Sequence, residues 1–405
     1  MSVRVNKTIT VNNTEIELTD LIDHPWAFMD LLRTQFSTST FEKKDSETYE
    51  NYLKRLFALL FYRQNKVRQP RRISTTHQER KPGELAFEVV KHNQKTSRIL
   101  FKESGHTYRI NNVILDSLVE SAKAKMNRKL NLKDKRIGVE LEFLGDSSQI
   151  MDFEAKLRKL VGRDRLIAPM RYYDNDGSKW VLGTDGSLHS RRDDGDNYNE
   201  YVTGYELTSP ILNLSSAKDL KELAKVCELI KTVMHGYTNR TCGTHVHMSF
   251  PVDRRDMVYT YNTLRECEFL CHFVRSYRNS EASLFDRLVP LSRRENRGRY
   301  CKTASVSYMD KRFRKLNVTN YRAGSDYLHL EFRQLAGTLD SNTIILWAKL
   351  QSLFVDSAMD KWKESKKSST QPELDKLKLE DIIVSDIFKN DESVEGLMKM
   401  AKMIA

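Results

Sequence analysis

The sequence offers no long apolar segment: its longest unbroken run, Leu56 to Tyr62, is seven residues. Crossing a bilayer takes roughly 20, so no membrane partner is expected. The opening residues, Met1 to Thr10, mix charged and β-branched side chains and lack an apolar signal core, and a cytoplasmic location is the expectation. Cysteine is scarce and odd in number: Cys227, Cys242, Cys267, Cys271 and Cys301 are scattered, which argues for reduced thiols over a disulfide framework. Also missing are a Walker A run and a Gly-x-Gly-x-x-Gly turn, which disfavours P-loop and Rossmann enzymes.

What remains is a chain of 405 residues, 39% hydrophobic and 30% charged, with ample material for a core. Its net charge of +12 is uneven: residues 1–136 hold 26 Lys/Arg against 16 Asp/Glu. Arg63 to Lys81 alone carries seven basic residues and one acidic one, Glu79. Such a patch would attract phosphate-rich partners, nucleic acid among them, although aromatics for base stacking are few. A solvated surface is the plainer account.

Three regions follow from the patterning. Residues 1–130 form a basic α+β region of unknown role. It opens with strand-like runs Val3–Val11 and Thr14–Leu18, expected to pair as a hairpin. Helices are expected near 25–35, 46–63 and 113–128, with short strands near 85–91, 98–101 and 107–110. Residues 136–362 alternate strands and helices and hold every chemical motif. Residues 363–405 begin with a Lys/Ser-rich break, Glu364 to Gln371, and end in short amphipathic helices.

The motifs share one design. In Ile137-Gly138-Val139-Glu140-Leu141-Glu142-Phe143, a strand puts Val139, Leu141 and Phe143 on one face and Glu140 and Glu142 on the other. Cys242 to Phe250 does the same with His245, His247 and Ser249 opposite Val246, Met248 and Phe250. Leu328 to Arg333 sets His329, Glu331 and Arg333 against Leu328, Leu330 and Phe332. Glu206 lies on a strand ending at Pro210. Each alone reads as an ordinary half-buried strand. Joined in one antiparallel sheet, the polar faces would gather four carboxylates, up to three imidazoles and an arginine. Carboxylates so crowded repel one another unless cations intervene, and oxygen-rich sites suit Mg²⁺ or Mn²⁺. Cys267, Cys271 and His272, by contrast, have helical spacing that favours core packing over a zinc site.

The ordered set Gly138 to Phe143, Asp185 to Ser187, Glu206 to Pro210, Cys242 to His247 and Glu331 to Arg333 resembles the amidoligase family of the glutamine-synthetase-like superfamily. Arg299-Tyr300-Cys301 and Arg312 to Asn317 are also similar to it. The resemblance spans roughly residues 136–350. It implies an α+β, glutamine-synthetase-like core: a curved antiparallel sheet flanked by helices, with the N-terminal region as an addition. It further implies a ligase dependent on ATP and Mg²⁺ (or Mn²⁺) that joins a small-molecule or peptide carboxylate to an amine through an acyl phosphate.

Carried over by position, Glu140 and Glu142 would bind two metal ions, and Glu206 would be a further ligand of the metal nearer the substrate. His245 and Glu331 would complete the metal nearer the ATP phosphates, with His247 beside it either contacting the nucleotide or supporting a metal ligand from behind. Arg333 would hold the transferring phosphoryl group, and Asp185 would help bind and deprotonate the amine. Between Arg287 and Lys315 lie ten basic residues and two acidic ones; of these Arg299 and Arg312 are the candidates to line the site. Only one mid-chain carboxylate, Glu206, is evident where glutamine synthetases use two. Rival readings are a guanidino-kinase-like phosphotransferase, since those enzymes share the fold, and a nucleic-acid-binding protein with a vestigial site.

Overall fold

The computed structural model describes residues 8–11, 14–17, 85–102, 105–123, 130–133, 135–168, 177–188, 202–257, 264, 267–294, 300–320, 325–385 and 391–401. The chain divides into two units, Met1–Ile73 and Ser74–Ala405. In the first, β1 (Thr8–Val11) and β2 (Thr14–Glu17) pair antiparallel, Thr8 opposite Glu17 and Val11 opposite Thr14. That is the expected hairpin. The helices expected near 25–35 and 46–63, and the basic stretch Arg63–Lys81, lie outside the described residues.

The second unit opens with a three-stranded antiparallel sheet of β3 (Phe87–His92), β4 (Thr96–Phe101) and β5 (Thr107–Asn111). The Asn93 side chain accepts from the N–H groups of Lys95 and Thr96, at 3.0 and 2.8 Å, and shapes the turn between β3 and β4. Helix α1 (Asn112–Lys123) follows directly. Phe87, Ile99, Phe101, Ile110, Leu115 and Leu118 are buried, joining the core that runs beneath the main sheet.

The main sheet is built from β6 (Arg136–Asp146), β7 (Leu166–Ile167), β8 (Trp180–Thr184), β9 (Val202–Thr208), β10 (Leu212–Asn213), β11 (Thr244–Pro251), β12 (Leu316–Asn317) and β13 (Tyr327–Phe332). The strands lie in the order β12-β13-β11-β6-β9-β8-β7, with β10 pairing the start of β6. Every pairing is antiparallel except β7 with β8, so the sheet is mixed.

The alternation read in the sequence becomes two faces. Val139, Leu141, Phe143, Leu207, Val246, Met248, Leu328, Leu330 and Phe332 are fully buried on one of them. Against that face and each other pack α2 (Ile150–Val161), α3 (Ala217–Val233), α4 (Glu268–Glu281) and α5 (Ser341–Ser368). Ser216 caps α3 by accepting from Asp219 N–H, and Asp340 caps α5 by accepting from Asn342 N–H. Phe354 of α5 meets Phe332, Tyr277, Phe285 and Phe273 edge-on, which locks helix to sheet.

Helix α5 runs into the Lys/Ser-rich stretch and stops at Ser369, whose φ of 51° marks a left-handed cap. Helices α6 (Leu379–Val384) and α7 (Asp391–Met400) complete the unit. The α7 residue Glu395 accepts from the Tyr108 hydroxyl on β5, so the C-terminal helices fold back onto the small sheet. Among the described residues no helix is long and apolar enough to cross a membrane.

The five cysteines are free and buried. Burial pushes the Cys227 thiol up to about 12 and the Cys242 thiol up to about 11, so both stay protonated. His272 bonds the Ala358 carbonyl through Nε2 at 2.8 Å, and burial lowers its pKa. It is a core histidine.

Candidate active site

Strand register decides which polar residues meet. His247 stands opposite Glu331 on one side and Gly138 on the other; His245 stands opposite Glu140; Glu142 stands opposite Glu206. The four strands named by the motifs are therefore adjacent, in the order β13-β11-β6-β9. Their polar residues share the face turned away from the core.

Two groups of donors result. Glu140, His247 and Glu331 bring one ligand atom each to within 4.8 Å of one another. Glu142, Asp185 and Glu206 do the same. His245 spans the two: its Nδ1 is 2.8 Å from Glu140 Oε2 and 3.8 Å from Glu331 Oε1, and its Nε2 is 3.6 Å from Glu142 Oε1. His247 Nε2 lies 2.7 Å from Glu140 Oε1. A chain of hydrogen bonds continues behind it, from His247 Nδ1 to His329 Nε2 at 3.0 Å and from His329 Nδ1 to Ser249 Oγ at 2.9 Å.

Local sequence explains the close approach. A Cβ on Gly243 would meet His245 Nε2 at 2.7 Å, Arg293 Nη2 at 3.0 Å and Glu142 Oε2 at 3.2 Å. With no Cβ, Gly243 leaves room for these three groups to converge. The Gly243 N–H also donates to Glu142 Oε2 at 2.5 Å, fixing that carboxylate. Gly204 serves the second group: a Cβ there would lie 2.6 Å from the Asp185 carbonyl, so its absence lets the Asp185 loop rest on β9. Asp185 N–H donates to Gly204 O at 2.9 Å, and Asp185 Oδ1 accepts from Ser187 N–H at 2.8 Å.

Arg333 is 5% exposed and donates through Nη1 to Glu331 Oε1. Its Nε has no hydrogen-bond partner among the described residues. The other Glu331 oxygen accepts from Asn317 Nδ2 at 2.6 Å. Arg293, 8% exposed, donates to the Cys242 carbonyl and stands at Gly243 beside Glu142. Arg312 is exposed and lies over the Phe313 ring, 5.4 Å from its centroid. Arg333 lies 5.9 Å from the same ring, so both guanidinium groups neighbour one aromatic side chain. Arg299 lies outside the described residues.

Sequence reasoning missed Arg293 and gave Asn317 no role. Arg293 closes a short 3₁₀ turn, Leu291–Arg293, with no periodicity to mark its direction. The signal for Asn317 was available: it lies two residues beyond the basic run that ends at Lys315, and β12 places it directly opposite Glu331.

The electrostatics set burial against neighbouring charge. Burial would raise the pKa of Glu140, but hydrogen bonds from His245 and His247 overcome it and hold the carboxyl well below the usual range. His247 shows the reverse contest: burial disfavours its charge, yet the Glu140 hydrogen bond and the Glu331 charge raise its pKa. Burial, then repulsion from Glu140, Glu142 and Asp185, pushes Glu206 up to about 7.

Residues 133–264 match the family described as putative amidoligase enzyme. No curated protein matches the chain. The matched segment spans β6 to β11 and so includes Glu140, Glu142, Asp185, Glu206, His245 and His247. His329, Glu331 and Arg333 stand beyond it on β13, and the β11–β13 register carries them to the same face.

Glu206 has a consequence that needs no ligand. Its carboxyl takes up a proton on folding between its ordinary pKa of 4.5 and about 7. Where the folded state binds more protons, stability falls as pH rises. The metal-free protein should therefore lose on the order of 3 kcal/mol across that window, at 1.36 kcal/mol per unit. Denaturant titrations at pH 5 and pH 8 measure it. The loss should shrink when Mn²⁺ is added at pH 8; a flat profile in both conditions would show that the carboxylates do not crowd.

Proposed function

We propose that the chain is an ATP-dependent, Mg²⁺- or Mn²⁺-requiring carboxylate–amine ligase that forms an amide or isopeptide bond through an acyl phosphate. The observation that carries this reading is the pair of donor groups, Glu140–His247–Glu331 and Glu142–Asp185–Glu206, on one sheet face within the amidoligase segment and its neighbouring strand. The donor sets fit the implied cations. They are rich in carboxylate oxygen, as Mg²⁺ and Mn²⁺ prefer, and in the second set burial, followed by repulsion from Glu140, Glu142 and Asp185, raises the Glu206 pKa to about 7. Asp185 supplies the second mid-chain carboxylate that β9 alone lacks.

Bound cations would neutralise charge on the triphosphate and polarise the transferred phosphoryl group. The rest of the work falls to the chain. Arg333, buried and with Nε unpartnered among the described residues, has a free edge for a phosphoryl oxygen. Arg293 offers a second guanidinium at the Glu142 end. A substrate carboxylate attacks the γ-phosphorus, the bond to ADP breaks, and an amine then attacks the acyl carbon and expels phosphate. The activation is needed because an unactivated carboxylate has no usable leaving group. Most of the acceleration in such a transfer comes from positioning and charge stabilisation.

His329 and Ser249 orient His247. With His247 Nε2 left to hold a cation, Nδ1–H would donate to His329 Nε2, and His329 Nδ1–H would donate to Ser249 Oγ. The chain satisfies every nitrogen in that order, as outer-shell partners of ligating histidines commonly do.

The discriminating experiment is a screen of acid and amine pairs for ADP release in Mg²⁺. Release of ADP and phosphate that requires both an acid and an amine is expected. A stable phosphorylated product formed without an amine would instead establish a phosphotransferase.

A further inference from the structure

Beside the C-terminal half of α4 lies a cavity of about 400 Å³ that shares no lining residue with the donor face. Its lining includes three arginines and the hydroxyl-bearing residues Ser305, Ser307 and Tyr308. Arg275 and Arg278 reach it from one face of α4, three residues apart. Arg314 arrives from the segment before β12, donates to the Thr303 carbonyl at 3.2 Å and covers the Tyr308 ring at 4.4 Å.

The guanidinium charge is incompletely answered. Arg278 pairs with Glu281 at 2.8 Å, but the same carboxylate also receives Lys315 Nζ at 3.2 Å and Ala304 N–H at 2.8 Å. Arg275 meets Glu268 at 3.3 Å across a largely exposed pair, which holds a guanidinium only weakly. Arg314 has no carboxylate partner among the described residues.

We propose that this cavity binds a small hydroxylated compound carrying an oxyanion head, phosphate or carboxylate. Arg314 and Arg278 hold the head, and the hydroxyl wall takes the polar body. Guanidinium forks match both kinds of oxyanion, and the volume suits a compact ligand. The inference is independent of the ligase reading.

Calorimetric titration of the full chain, metal-free and at constant ionic strength, tests it with orthophosphate, glycerol 2-phosphate and citrate as probes. Saturable binding of at least one is expected, and the tighter class assigns the head group. Arg314→Gln should weaken it at least 10-fold, and Arg275→Gln, on an exposed helix face, should weaken it less. Lys311→Gln, which removes a nearby cation from outside the cavity, should leave it unchanged, as should Glu140→Ala with Glu142→Ala. Absence of saturable binding, equal loss in Lys311→Gln, or loss in the Glu140/Glu142 variant would each overturn the proposal.

Discussion

Replacing Glu140 with alanine should reduce affinity for Mn²⁺, and for ATP in its presence, by at least 100-fold while the chain still folds. Glu140 is the carboxylate on which the site converges: one oxygen meets His247 Nε2 at 2.7 Å and the other meets His245 Nδ1 at 2.8 Å. It also belongs with His247 and Glu331 to one donor group. Outer-shell partners alone are worth 10- to 100-fold in metal affinity, so removal of a shared ligand should exceed that range. Calorimetric titration with Mn²⁺, then with ATP at saturating Mn²⁺, measures both. Undiminished binding in the variant would place the nucleotide elsewhere.

The companion variant should behave in the opposite sense for stability. Glu206→Gln removes a carboxyl that burial and three neighbouring carboxylates hold at about 7. The metal-free variant should be more stable than the parent at pH 8 and should lose the decline between pH 5 and 8. Its cation affinity should nonetheless fall. A functional site that is strained without its ligand shows this trade of stability against binding.

The strand faces were legible because period-two alternation is a local property. Once Leu141 and Val246 are read as buried, Glu140 and His245 must point the other way. The order of the strands was not local. Sequence alone could not say that β11 lies between β6 and β13, and that placement puts His247 opposite Glu331. His245 and Glu331 were expected to complete one metal with His247 beside it; the register also brings both imidazoles onto the Glu140 carboxylate. Irregular segments gave least. Asp185 resembled any Asp-Gly-Ser turn until Gly204 let its loop close on β9, and the helix through Glu364–Ser368 was hidden by polar residues on its exposed faces.

Lys315 shows the limit most sharply, and its removal should cost about 3–5 kcal/mol. Within the basic run Arg287–Lys315 it reads as one more surface charge. Instead it is fully buried, with Nζ 2.6 Å from Asp286 Oδ1 and 3.2 Å from Glu281 Oε2. Both carboxylates precede the run. Its carbonyl also accepts Arg333 N–H at 2.8 Å, so the buried cation anchors the strand edge from which Arg333 projects. Lys315→Met would leave Glu281 and Asp286 facing each other, with Arg278, Ala304 N–H and Gln334 Nε2 as remaining donors. Charges stranded in a low-dielectric interior are costly, whereas a neutral replacement of the whole cluster need not be. Urea titrations should therefore show Lys315→Met strongly destabilised, and the triple change Lys315→Met, Glu281→Gln, Asp286→Asn closer to the parent. If the single variant matched the parent, the cluster would hold no net stabilisation and Arg333 would need another anchor.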